Sequence, residues 1–124
     1  MNDRLFVDTN VLIRLFEDDG AVIALTDNRV IYISVVTEME MQCKLHQTVE
    51  QANLIREMLD DSIIVGLSDS VKKRAIKIRR ETRLKLLDAI VAASAVELAL
   101  PLLTADDKMG SVKQTTVLVL PPRF

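Results

Sequence analysis

Apolar positions along the chain switch repeatedly between two spacings. Residues 5–7 form a short apolar run that ends at Asp8, and NVLIRLF after it carries apolar residues at helical spacing, so strand, turn and helix are expected there. VIYISVV, at 30–36, is rich in β-branched side chains and gives way at Thr37 to a helical polar–apolar pattern, EMEMQCKLHQ. A second strand therefore feeds a second helix. Residues 49–59 read as helix, IIVGL at 63–67 as strand, and Asp69 or Ser70 is placed to cap the helix that follows. Asp88 opens AIVAASAVELAL, a helix apolar over most of its surface; PLLT, ADDKMG and TTVLVL then read as strand, turn or helical turn, and last strand. Strands separated by helical segments of this length imply the α/β class: a mostly parallel sheet of four to five strands with helices on both faces, in three layers. With no internal repeat and no linker, residues 1–124 read as one domain. The stretch 37–59 has neither Gly nor Pro, so one long helix and a hairpin of two both fit.

A chain of 124 residues buries roughly two thirds of its unfolded surface and needs no disulfides to do so. The single cysteine, Cys43, has no internal partner, and Cys43 with the single histidine, His46, cannot build a structural zinc site. Read singly, they are a buried structural cysteine and a surface histidine. Met39, Met41 and Met58, at helical positions, fill core or partner-facing grooves. A reducing cytoplasm is the expected setting: MNDRLFVDTN mixes acid and base before any apolar run, unlike a signal peptide. AIVAASAVELALPLL, broken by Glu97 and Pro101, falls short of the roughly 20 residues that span a bilayer, so no membrane partner is expected. Net charge is −2, yet Lys72, Lys73, Arg74, Lys77, Arg79, Arg80, Arg83 and Lys85 supply eight of the sixteen Lys and Arg within one strip, opposed only by Glu81. A charge run is usually a solvated face; beside an acidic site it would also position RNA phosphates. With one Tyr, three Phe and no Trp, base-stacking platforms fit poorly.

The acids change the picture further. In open α/β sheets, ligands bind beyond the carboxyl ends of the strands. Asp8 follows the first strand, Asp106 follows PLLT, Glu40 lies about one helical turn past the second strand, and Asp88 begins the helix that leads into PLLT. Singly, each has an ordinary explanation: Thr37-Glu38-Met39-Glu40 is a capping box, Asp8 an N-cap, Asp88 a helix-dipole partner, and Asp106 or Asp107 a turn cap. Caps do not explain why the acids gather where a crevice is expected, with Thr9 and Asn10 beside Asp8. Four convergent carboxylates repel one another unless a cation neutralises them. Oxygen-only ligation selects Mg²⁺ or Mn²⁺, one or two per site, and such ions hydrolyse phosphodiesters.

FVDTNVLI (6–13), ISVVTEMEM (33–41), KLLDAIVAASAVELAL (85–100) and LLTADDKMG (102–110), in this order and approximate spacing, resemble the PIN-domain nucleases and, within them, the VapC-like toxins of toxin–antitoxin pairs. The resemblance covers nearly the whole chain. It implies a PIN-like fold, Mg²⁺- or Mn²⁺-dependent endoribonuclease activity on an RNA substrate, a homodimer, and a cognate antitoxin as partner. It places Asp8, Glu40, Asp88 and Asp106 on the family's four acids, as catalytic and metal-holding residues. Thr9, Asn10 and Thr104 fall on supporting polar positions, with Asn10 next to the first acid and Thr104 ahead of the fourth. After Asp106 the chain reads DKMG, where many members carry a basic residue, an acid and an aromatic, so Asp107 competes with Asp106. Glu38 competes with Glu40 but points about 200° away around the helix. The chain is also short for the family.

Two rival functions come from other classes. A receiver-type phosphoacceptor domain would need an acceptor Asp after the central strand and a Lys after the last; IIVGLS and TTVLVLPPRF offer neither. A catalytically silent module of the same fold, binding RNA or a partner, is the alternative that retains every element.

Overall fold

Alternate residues of a strand face opposite sides of its sheet, so a strand that is apolar on every residue must be covered on both. After the exposed Arg4, LFV in RLFV is such a run: Leu5 and Val7 enter one core and Phe6 another. In the computed structural model, which describes residues 3–43 and 47–123, this strand is β1 (Arg4–Val7), the centre of a five-stranded sheet. It lies between β2 (Val30–Ser34) and β4 (Leu102–Thr104), with β3 (Ile63–Val65) outside β2 and β5 (Val117–Val119) outside β4. All four pairings are parallel, and Phe6 registers with Tyr32 on one side and Leu102 on the other.

The helices divide between the faces. Leu5 and Val7 pack with Val11 and Leu12 of α1 (Thr9–Phe16), Val22 of α2 (Gly20–Thr26), Met41 of α3 (Val35–Gln42), and Ile55 and Leu59 of α4 (Val49–Asp60). Phe6 packs on the other side with α5 (Asp69–Glu81) and α6 (Leu86–Glu97). Val71, Ala75 and Ile78 form the buried stripe of α5, at the four- and three-residue spacing of one helix face. Residues 89–95 of α6 are buried without a break, as an all-round apolar helix requires. The class is the α/β class expected, in three layers with five strands.

Several boundaries differ from expectation, each for a local reason. The second strand stops at Ser34, two residues early, because the Ser34 hydroxyl accepts the Val36 N–H at 3.0 Å and caps α3. The described residues of 37–59 hold two helices, and the capping box is at Thr48 and Gln51 on α4, not at Thr37 and Glu40. Ser68, rather than Asp69 or Ser70, caps α5 by accepting the Val71 N–H at 3.2 Å. Asp88 is the third residue of α6, in its first turn, not its opening residue. The cysteine expected to be buried is exposed, at the C-cap of α3, while His46 lies outside the described residues. No helix among the described residues is long and apolar enough to cross a membrane.

Candidate functional site

The chain winds outward from β1 through β2 to β3, then returns across the sheet to β4 and β5, so the winding reverses between β1 and β4. Such a reversal leaves a crevice at the carboxyl ends of those two strands. Asp8 follows β1 and Thr104 ends β4. The Asp8 N–H bonds the Leu103 carbonyl at 3.0 Å, drawing the two strand ends together.

Asp8 is 5% exposed, an unusual place for a carboxylate, and both of its oxygens accept hydrogen bonds. The Thr9 N–H donates to Oδ1 at 2.8 Å, the Thr104 hydroxyl to Oδ2 at 2.8 Å, and the Asn10 amide to Oδ2 at 3.5 Å. Because Asn10 Oδ1 accepts the Ala105 N–H at 2.9 Å, its amide is oriented with nitrogen towards Asp8. Asn10 thus braces α1 against the end of β4. Thr104 has one hydroxyl proton, given to Asp8, and its oxygen accepts the Asp106 N–H at 3.0 Å. Asp106 caps the 3-10 helix (Asp107–Ser111) by accepting the Lys108 N–H at 3.0 Å.

Burial pushes the Asp8 carboxyl above its ordinary range; the bonds from Thr104 and Thr9 oppose the shift, and the charges of Asp88 and Glu40 add to it. Asp88 is also raised, first by burial and then by Asp106 and Glu40, against the pull of Lys85 and Lys108. The electrostatics therefore tie all four acids of the sequence reading into one field. Asp107 is exposed and Glu38 is half-buried, and neither is among the charges that move Asp8 or Asp88. Glu40 is exposed, and its Oε1 accepts the Thr9 hydroxyl at 2.7 Å. Among the described residues, no three His, Cys, Asp or Glu side chains stand close enough together to hold a metal ion as they are.

Of the basic strip, Arg74 is tied to Glu97 at 3.2 Å and half-buried, while Lys72, Lys73, Lys77, Arg79, Arg80, Arg83 and Lys85 are exposed. Lys85, the N-cap residue of α6, is the strip residue whose charge is felt at Asp88. Sequence reasoning missed Lys108, whose signal is only its position two residues after Asp106. It also read Thr37 as a cap, although Thr37 Oγ1 lies 2.9 Å from Thr9 Oγ1. A threonine one turn before the acid, on the same helix face, was the available signal.

A parallel α/β sheet carrying a field of carboxylates at its winding reversal defines an acidic-site α/β protein. The chain belongs to the PIN domain family, whose model matches residues 5–114. Solved structures agree on the fold. A toxin–antitoxin complex from Klebsiella pneumoniae is similar at a TM-score of 0.80 and 28% identity, over 93% of this chain and 96% of that one. VapBC2 from Rickettsia felis, bound to a DNA fragment from its promoter, is similar at 0.76 and 14% identity, over 95% and 99%. VapBC-5 from Mycobacterium tuberculosis, of the VapBC family of toxin–antitoxin systems, is similar at 0.73 and 21%, over 95% and 99%. The comparison with curated protein sequences finds no significant match.

Proposed function

We propose that the chain is a Mg²⁺- or Mn²⁺-dependent endoribonuclease and the toxin of a toxin–antitoxin pair. The observation that carries the reading is Asp8: a nearly buried carboxylate held by Thr9, Asn10 and Thr104 at the winding reversal, in the field of Asp88 and Glu40, with Asp106 acting on Asp88. An all-oxygen donor set fits a hard divalent cation, and one or two such ions would remove the repulsion that raises Asp8 and Asp88. Asp8 is the fixed member. Asp88 and Asp106, each more exposed than Asp8, would swing inward towards Asp8 and the Glu40 carboxylate to complete the set. When bound, the ion supplies an activated water and neutralises charge developing on the scissile phosphate.

The chain's own residues do the rest. Thr104 and Asn10 hold Asp8 Oδ2, leaving its remaining lone pairs directed by that anchoring. Thr9 holds Glu40. Lys85 and Lys108, close enough to be felt at Asp88, attract an incoming phosphate to the rim. The exposed cations of the strip would continue those contacts along an RNA backbone.

Partnership with an antitoxin is supported by the solved complexes, and a cytoplasmic setting goes with it. A groove lined by Ile13, Phe16, Met41 and Ile55, with Glu40 and the Arg123-paired Glu17 also in its lining, fits an apolar antitoxin segment. Leu86 and Leu87, both more than half exposed, fit burial in a homodimer. One observation favours a second reading, a catalytically silent binding module: the carboxylates are not at ligand separation.

The test is cleavage of mixed structured and single-stranded RNAs by protein freed of any partner, in Mn²⁺, Mg²⁺ or EDTA, beside Asp8→Asn and Asp88→Asn. Metal-dependent cleavage lost in both variants is the expected result. Mn²⁺ binding without cleavage would point to a narrow RNA substrate, and no Mn²⁺ binding would favour the silent module.

A further inference from the structure

Hydroxyl side chains within the helices of this protein mostly satisfy themselves locally. Thr26 donates to the Val22 carbonyl at 2.8 Å and Ser94 to the Ile90 carbonyl at 2.9 Å, each one turn back in its own helix. Thr37, in α3, does otherwise. It is fully buried, and its hydroxyl turns to another element, meeting Thr9 Oγ1 of α1 at 2.9 Å. Ser34 already caps α3, so Thr37 has no capping duty.

The direction of the protons follows from chemistry. A carboxylate only accepts, and a hydroxyl has a single proton. Thr9 gives its proton to Glu40 Oε1 at 2.7 Å, so in the contact between the two threonines Thr37 is the donor. The chain of bonds therefore runs from a buried, rotationally fixed hydroxyl, through Thr9, to an exposed carboxylate that would otherwise sample several rotamers. This chain fixes the Glu40 carboxylate against Thr9, the residue next to Asp8.

We propose that Thr37 is a positioning residue, which orients the Glu40 carboxylate through Thr9 and so sets how readily the acidic site takes up its cation. The inference rests on reading Glu40 as a metal-holding residue. Thr37 itself touches neither metal nor substrate.

Thr37→Val keeps the β-branched shape and removes the hydroxyl, whereas Thr37→Ser keeps the hydroxyl and removes a methyl. Side-chain NMR couplings of Glu40 in metal-free protein are expected to report one dominant rotamer in the parent and in Thr37→Ser, but averaging in Thr37→Val. Calorimetry with Mn²⁺ is expected to show binding about ten-fold weaker in Thr37→Val and restored in Thr37→Ser. Should Thr37→Val not fold, Thr37→Ala removes the same hydroxyl from a smaller side chain and is expected to free Glu40 in the same way. An unchanged Glu40 rotamer in the folded valine variant overturns the proposal whatever the metal does. So does a serine variant as impaired as the valine one, which would make the methyl packing responsible. Parent protein that binds no Mn²⁺ overturns instead the nuclease reading on which the inference rests.

Discussion

At Asp8 two influences oppose each other: burial and neighbouring acids favour the neutral carboxyl, while donors from Thr9 and Thr104 favour the charged one. Burial and charge win, and Asp88 is raised in the same sense. A carboxyl whose pKa is higher folded than unfolded binds more protons in the native state. Its stabilising contribution is fully present below the ordinary value of 3.8 and is lost as pH rises through the raised one. At neutral pH without metal, both acids therefore weigh against the fold. Asp88→Asn is expected to melt higher than the parent, by about 2 °C, at pH 7 in EDTA, with the gap closing towards pH 4. Added Mn²⁺ should reverse the order, because ligand binding stabilises the protein that binds it better. Thermal melts across pH with EDTA and with Mn²⁺ decide this, and a gap that widens on acidification contradicts it. At this scale the sequence was informative where an acid, amide or hydroxyl sits at or next to a strand end, as with Asp8, Asn10, Thr104 and Asp106. It was uninformative for Thr37, since a Thr three residues before a Glu writes a capping box equally well, and only three-dimensional proximity to Thr9 separates the two roles.

Elements were legible in kind and order but not at their ends, because ends depend on single hydrogen bonds. A two-residue error in where β2 stops turned Ser34 from cap into strand and Thr37 from interior residue into cap. Ser34→Ala is expected to cost about 1 kcal/mol, measured by urea unfolding, with a matching loss of order at Glu40 since α3 carries both. The end of α6 was hidden for a different reason. Glu97 is its last residue, and Ala99 takes φ 53° where glycine is usual. The Leu100 N–H reaches back to the Ala95 carbonyl and the Ala99 N–H to the Val96 carbonyl, each at 3.0 Å, which is the Schellman closure. Without a glycine the sequence carries no stop signal, and the apolar pattern ran on to Leu100. Left-handed backbone costs a non-glycine residue roughly 1–2 kcal/mol, against roughly 0.4–1 kcal/mol of extra chain entropy that glycine loses on folding. Ala99→Gly should thus stabilise the protein by up to about 1 kcal/mol. A lower unfolding midpoint would show that Ala99 is not strained.

For the whole molecule, alternating strands and helices foretold a parallel sheet but not its order, since several orders satisfy the same connection rules. The order β3-β2-β1-β4-β5 makes Asp8 and Thr104 neighbours at the point where winding reverses, although 96 residues separate them. Charge is divided as sharply as topology: the net value of −2 combines an acidic pole at the strand ends with a basic helix, α5. Helical geometry puts Lys73, Lys77 and Arg80 opposite the buried stripe of Val71, Ala75 and Ile78, so these three face solvent together. If α5 tracks an RNA backbone, binding should weaken linearly on a log–log plot against salt, each phosphate contact adding about 0.7 to the slope on a single strand. Replacing Lys73, Lys77 and Arg80 by alanine in an Asp8→Asn background, which under the proposed function removes cleavage from the measurement, should lower the slope by about 2. Little change is expected in sequence preference, because backbone contacts carry none. A slope untouched by the triple replacement would make α5 an ordinary solvated face. Recognition would then fall to Lys85 and Lys108, the cations felt at the acids themselves.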